Sequence, residues 1–409
     1  MNFYRSLFVM ALLLAQCALF SCRSKQAAEN VIKINDAQVQ TLYMSEYFES
    51  IEYIPLETND ECLIGDKPSL YMTDEFIVTI ASKKCLVFDR QTGKFIRRIG
   101  VEGRGANEYS RIPHGIIVNE QEKTISMGQG NRLIEYSLVD GAVISSSTQI
   151  PPLVASKIAY ITKDSWAMSF LNLTGNIPNQ MLFFDRERVV DSIPNRCLFV
   201  PKTRHIDINM SEILFYRYNN NVYYKYFLND TIFKIVDRAL QPAWVFEMRR
   251  SSHVLQQFRD DPPALSKESE DYHLVNSLLE TDEYMFLRTV YQNKNHAFIF
   301  DKKQRQVKGL ENRGFVNDID GGLTFWPAFT NQNQDLIQLH DAYSFKKNIN
   351  EKGLSEQNVQ NVAELQKLQK LVAQLDDEDN PVVVIAFITK PSLTPQNDPT
   401  QYQGRGNAL

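Results

Sequence analysis

Short apolar runs separated by Gly, Asn and Asp recur along most of the chain, and three of them repeat one phrase at a fixed spacing. Val87-Phe88-Asp89, Glu135-Tyr136-Ser137 and Phe183-Phe184-Asp185 place Phe88, Tyr136 and Phe184 at intervals of 48 residues, and a glycine follows at Gly93 and Gly141. That interval is about the length of one four-stranded propeller blade. A blade cannot bury its apolar faces alone, so repetition implies neighbours stacked round an axis.

The runs between these anchors fill in the blades. Phe76–Val78, Cys85–Phe88 and Phe95–Ile99 form a first unit, and Gly115–Val118, Thr124–Met127, Leu133–Tyr136 and Ala142–Ile144 a second. Ile158–Ile161, Trp166–Phe170, Met181–Phe184 and Val189–Ile193 make the third; Ile213–Tyr216, Val222–Tyr226, Ile232–Val236 and Trp244–Met248 make the fourth. Their Val, Ile, Tyr and Phe content, bounded by turn residues, is what strands require.

Beyond Met248 the period breaks. Residues 251–280 read as a loop and short helix inserted before a fifth blade, which resumes at Tyr284–Val290 and Ala297–Phe300. Phe325-Trp326, Asp335–Leu339 and Val382–Phe387 supply a last blade. Within 355–376, Val359, Val362, Leu365, Leu368, Leu371, Val372 and Leu375 recur at helical spacing, which predicts a helix packed on the propeller before the last strand. An N-terminal strand at Ile51–Leu56 would pair with Val382–Phe387 and close the ring, removing the open edge. The expectation is an all-β fold: a six-bladed β-propeller of four-stranded antiparallel blades over residues 47–389. The faint fifth blade leaves five or seven open.

The first residues bear on location. Arg5 precedes an apolar stretch from Leu7 to Phe20, too short to span a membrane comfortably and suited to a secretory signal over 1–21. It ends in Leu19-Phe20-Ser21-Cys22, which resembles a bacterial lipobox and makes Cys22 the expected lipidation site. Acyl chains there would hold the domain at a membrane, each buried methylene contributing roughly 0.8 kcal/mol. Residues 22–46 then read as a tether, and 390–409, rich in Pro, Gln, Asn and Gly, as a disordered tail. Without Arg5, 43 basic residues face 49 acidic ones, a charge of −6 with no basic block, which argues against nucleic acid as a partner. Cys62, Cys85 and Cys197 are too few for a disulfide framework; a Cys62–Cys85 bridge stays open.

Four separated phrases, in order, carry a family resemblance: Ile54-Pro55-Leu56-Glu57-Thr58; Val87-Phe88-Asp89 with Gly93-Lys94-Phe95 and Ile99-Gly100; Gly103-Arg104-Gly105-Ala106-Asn107-Glu108-Tyr109; and Asp379-Asn380-Pro381-Val382. Together they resemble the six-bladed β-propeller lipoproteins of Gram-negative bacteria, over roughly Ile51 to Phe387. The resemblance implies the fold and export, and brings no agreed activity and no catalytic residues.

Candidate chemistry is sparse. Gly100, Gly103 and Gly105 lack the helix and Gly-Lys-Ser/Thr ending of a phosphate loop, which leaves an inter-blade turn. Asp318 and Asp320 sit in Asn317–Gly322, but a calcium loop opening at Asp318 would need ligands where Gly322 and Phe329 stand. The six histidines show no zinc spacing and no Gly-x-Ser-x-Gly elbow occurs, so no metal or cofactor is expected. Arg104, Glu108, Tyr109, His114, Asp318, Asp320 and Trp326 remain as candidate contacts at the channel or its rim. The leading reading is a lipid-anchored, non-catalytic scaffold binding an envelope protein or glycan, with the periplasmic face favoured over the cell surface. A propeller hydrolase or lyase acting on saccharides or peptides is the alternative, and a purely structural envelope protein a third.

Overall fold

A computed structural model of the 409-residue chain describes residues 30–146, 150–151, 156–186, 188–203 and 212–389. Among these, the strands fall into six sheets, the blades of a β-propeller. Blade one runs from its innermost strand, Ser69–Met72, through Phe76–Ala81 and Lys84–Asp89 to Phe95–Arg98. Blades two to five follow the same order from Val118–Asn119, Ser156–Tyr160, Ile213–Tyr218 and Leu274–Glu280, respectively. Blade six is assembled from both ends of the domain. Phe329–Thr330, Leu336–His340 and Val382–Ile388 come from late in the chain, and Phe48–Pro55 adds the outer strand in antiparallel register. The expected closure of the ring is therefore present.

The 48-residue phrase has a local physical cause. In the first three blades the third and fourth strands slip register at the anchor: between Val87 and Phe88, Glu135 and Tyr136, and Phe183 and Phe184. The bulge turns a ring inward, and all three rings are buried. The next residue shapes the turn. Asp89 accepts hydrogen bonds from the amides of Gln91 and Thr92, and the Ser137 hydroxyl accepts from those of Val139 and Asp140. Gly93 and Gly141 then take φ of +69° and +78°, where a side chain would be strained.

Three of the four family phrases meet at the seam between the last and first blades. The Leu56 amide donates to the Pro381 carbonyl, and that of Glu57 to the Gly93 carbonyl. The Glu57 carboxylate accepts from the Phe95 amide at 2.8 Å. Buried Asn380 completes the knot: its Nδ2 donates to the carbonyls of Glu57 and Cys62, and its Oδ1 accepts from the Ile64 amide. Closing a ring leaves irregular backbone buried at one place, and these side chains satisfy it.

Several expectations change. The tether enters the fold by residue 31: Val31–Lys33 pairs in parallel with the outer strand of blade four, and Gln38–Gln40 with that of blade five. Ile32 and Ile34 are buried there, so this stretch is part of the domain. The insertion at 251–280 ends sooner than expected. It contains a 3₁₀ turn at Ser252–Phe258 and helix α1 (Pro262–Ser269), while Leu274–Glu280 is the innermost strand of blade five. Its apolar residues pack against both neighbours, which hides the strand alternation. Before the last strand stand two helices, α2 (Ala342–Lys352) and α3 (Val362–Gln374), capped by Asp341 and Asn361. Phe345, Ile349, Leu365, Leu368 and Val372 bury their apolar stripe. The first strand of blade six is Phe329–Thr330 rather than Phe325-Trp326. Cys62 and Cys85 are both free thiols and pack in different interblade cores, which keeps them apart. Residues 1–29 and 390–409, with Cys22, lie outside the described residues. Among the described residues no helix is long and apolar enough to cross a membrane.

Candidate functional site

The innermost strands surround a cavity of about 520 Å³ at the central channel, with walls from all six blades. An additional strand shapes one side. His114–Ile116, in the crossing from blade one to blade two, lies parallel on the inner edge of blade three, with His114 opposite Lys157 and Gly115 opposite Ile158. Gly115 is required there: its φ is +118°, and a Cβ would sit 2.0 Å from the Ile158 carbonyl oxygen. The Tyr71 hydroxyl of blade one donates to the Gly115 carbonyl at 3.0 Å, fixing the strand from the other side.

Two oppositely charged side chains face this cavity and make no hydrogen bond or ion pair with the described residues. Burial pushes the Glu120 carboxyl up to about 7, with the charge of Arg217 working against the rise. Burial alone brings the Lys157 ammonium down to about 8. His114 is lowered by burial and then by the charges of Lys157 and Arg111, which favours the neutral imidazole. Arg217 donates one hydrogen bond to the Tyr160 carbonyl. On the wall from blade five, the Asn276 Oδ1 is a buried acceptor with no partner. A buried polar atom left unpaired costs about 1–3 kcal/mol, and of these groups the Asn276 Oδ1 is the one so buried, while Glu120 and Lys157 open onto the cavity.

Elsewhere the lining is already stitched together. Glu280 is ion-paired with Lys302 at 2.8 Å and accepts from the Tyr216 hydroxyl at 2.7 Å. Asp282 accepts from the Tyr218 hydroxyl and from Asn219, while Gln334 bridges the Asp282 amide and Asn219. Burial, followed by the charge of Glu280, pushes the Tyr216 phenol well above its ordinary value.

Of the sequence candidates, His114 alone lines this cavity. Glu108 folds back to accept from the Gly105 amide at 2.7 Å, filling the space beside Gly103 where a Cβ would collide with it. Tyr109 is buried between the first two blades and its hydroxyl donates to the Lys83 carbonyl. Arg104 is exposed on the same loop, away from the cavity lining. Asp318 accepts from the amide and hydroxyl of Ser45, and buried Asp320 from Tyr53, Asn317 and the Gly322 amide. Lys352 of α2 donates to the Gly321 and Gly322 carbonyls, so the Asn317–Gly322 turn ties the N-terminal segment to the helices. Trp326 is buried against Phe315 and under Arg288, which removes it from the rim. Glu120, Lys157, Arg217 and Asn276 were not singled out from the sequence. For Lys157, Arg217 and Asn276 the one signal there is a charged or amide side chain among the apolar residues of an innermost strand; Glu120, just past Val118–Asn119, carries none.

This architecture defines a six-bladed β-propeller with a polar channel cavity. The chain belongs to the family described as a domain of unknown function, DUF4934, whose model matches residues 29–387. No curated protein matches it. Among solved structures, the chain is similar to a protein of Bacteroides fragilis NCTC 9343 provisionally described as exported. The two share 14% identity with a TM-score of 0.68, covering 88% of this chain and 100% of that one; this likeness shows the fold alone. The β-propeller domain of Cps50 (Swd1) from Myceliophteria thermophila is 11% identical, with a TM-score of 0.33 over 62% of this chain and 73% of that one. The WD40 domain of SCAP from fission yeast is 9% identical, with a TM-score of 0.36 over 71% and 62%.

Proposed function

We propose that the protein is exported, lipidated at Cys22 and held at the outer membrane facing the periplasm, where the propeller is a binding scaffold for a protein or glycan partner. The observation that carries this reading is the channel cavity, where Lys157, Glu120 and Asn276 stand without hydrogen-bonding partners. Groups held desolvated and unpaired are costly to the fold and productive only when a ligand completes them. The apolar leader ending at Cys22 supports the anchored location, and the provisional description of the Bacteroides fragilis relative agrees with export.

The test is co-purification of tagged full-length protein from detergent-solubilised envelopes, beside a Lys157→Met/Asn276→Ala variant. One envelope component recovered in near-equal amount with the native protein, and lost with the variant, is the expected result. A partner retained equally by both would remove the channel from the reading. For the anchor, Cys22→Ala is expected to move the protein from the membrane to the soluble periplasmic fraction; continued membrane association would refute lipidation at Cys22.

An enzyme is the second reading, favoured by a specific arrangement. The Tyr216 hydroxyl is hydrogen-bonded to Glu280, and Glu120, held near 7, suits general acid–base work at neutral pH. Tyrosine nucleophiles occur in some glycosidases. Turnover of a defined saccharide, abolished by Tyr216→Phe in a protein that still folds, would establish this reading in place of the scaffold.

A further inference from the structure

The unpaired groups in the cavity differ in what they ask of a ligand. Lys157 is a donor with no anion beside it, and Arg217 uses one donor on the Tyr160 carbonyl. Glu120 and the Asn276 Oδ1 are acceptors with no donor. A ligand that satisfies all of them carries an anionic group together with several neutral O–H or N–H donors. A purely cationic ligand would leave Lys157 unanswered, and a simple anion would leave Glu120 and Asn276 unanswered while adding repulsion. The enclosing space, about 520 Å³, lies within the range of small-molecule sites.

We propose that the channel cavity binds an acidic saccharide, a sugar unit bearing a carboxylate, with the carboxylate on Lys157 and ring hydroxyls on Glu120 and, as its buried amide turns toward the opening, on Asn276. This rests on the scaffold reading and gives its ligand a chemical class. Sugar hydroxyls both donate and accept, which suits the exposed amide side chains of Asn220 and Gln332 around the same opening. A peptide C-terminus also presents a carboxylate, but its main chain adds one N–H per residue, whereas Glu120 and Asn276 together ask for several donors close to the anion. His114 lies beside Lys157 in register and, as a neutral imidazole, is able to hydrogen-bond without adding charge.

The probes are galacturonate, glucuronate and N-acetylneuraminate, each beside a neutral counterpart (galactose, glucose and N-acetylmannosamine), titrated into detergent-solubilised full-length protein by calorimetry and saturation-transfer NMR. At least one acidic sugar is expected to bind with its neutral counterpart at least about 10-fold weaker, the value of one charge-assisted hydrogen bond. Lys157→Met should weaken it by about 10- to 100-fold and Lys157→Arg by much less. Asn276→Ala, which removes the orphaned acceptor, should weaken the acidic and the neutral sugar alike. Binding of no acidic sugar tighter than about 1 mM overturns the proposal, as does equal affinity for acidic and neutral sugars. The scaffold reading fails separately. If acidic sugars do not bind but a protein partner is lost with Lys157→Met/Asn276→Ala, the scaffold stands and the ligand class falls. If an acidic oligosaccharide binds and is cleaved, the ligand class stands and the scaffold gives way to the enzyme. A short peptide that outcompetes every sugar overturns the saccharide in favour of a C-terminal carboxylate.

Discussion

Lys157 and Glu120 share one cavity, and burial has moved both toward neutrality from opposite directions. With its ammonium brought down to about 8, Lys157 is about half free amine at pH 8, while an ordinary lysine is below about 1% deprotonated. A small acylating reagent at pH 8 should therefore modify Lys157 ahead of the exposed lysines, read by peptide mass spectrometry. Labelling that merely follows exposure would mean the amine keeps its ordinary basicity. For Glu120 the sign runs the other way. Its carboxyl is raised in the folded state, so the folded protein holds the proton that the unfolded chain releases near the ordinary value of 4.5. Its contribution is most favourable at low pH and is lost as pH rises from about 4.5 through about 7. Glu120→Gln is expected to stabilise the protein at pH 8 by about 1–2 kcal/mol and to leave pH 4 stability nearly unchanged, measured by denaturant titration at both values. Equal effects at both would show a packing change instead of relieved charge.

At the scale of elements, stability concentrates at the seam. Asn380 satisfies two carbonyls and an amide there and is buried, so Asn380→Ala should cost about 2–4 kcal/mol, seen as a lowered unfolding midpoint in denaturant. The neighbouring Gly93 combines positive φ with a Cβ position 2.2 Å from the Pro55 carbonyl oxygen. Gly93→Ala should cost at least about 1–3 kcal/mol, whereas Gly130→Ala is positive in φ with open space around it and should cost less. If the two glycine variants unfold together, contact with the closure strand is not what makes Gly93 necessary. Neither loss would be apparent from helix or strand preference, because both act where two distant segments touch.

For the whole molecule, closure depends on the N-terminal segment. Phe48–Pro55 covers Val382–Ile388 along its length, and Val31–Lys33 and Gln38–Gln40 cover the outer edges of blades four and five. Removing residues 23–56 exposes the strand Val382–Ile388, whose residues are nearly all buried. The shortened protein is expected to unfold over a broader denaturant range and to associate through the open edge, as seen by calorimetry and light scattering. A sharp single transition with a monomeric species would show that five blades and a partial sixth suffice.

The sequence by itself determined the repeating architecture, because bulge and buried ring are local devices repeated through the first three blades. Phe88, Tyr136 and Phe184 announce them at one spacing, and Ile51–Leu56 with Val382–Phe387 announce the closure. It carried less where both faces of a strand are buried, as at Leu274–Glu280, since alternation then disappears and a strand resembles a helix. The cavity was decided by tertiary structure. Lys157, Glu120, Arg217 and Asn276 come from four different stretches, and each is an ordinary polar residue until the ring brings its innermost strands together. Asp320, Tyr109 and Trp326 show the converse: conspicuous in the chain, they are spent on turns and interblade packing. Periodicity records what every blade must bury, while the cavity is made of what the ring leaves unpaired at its axis.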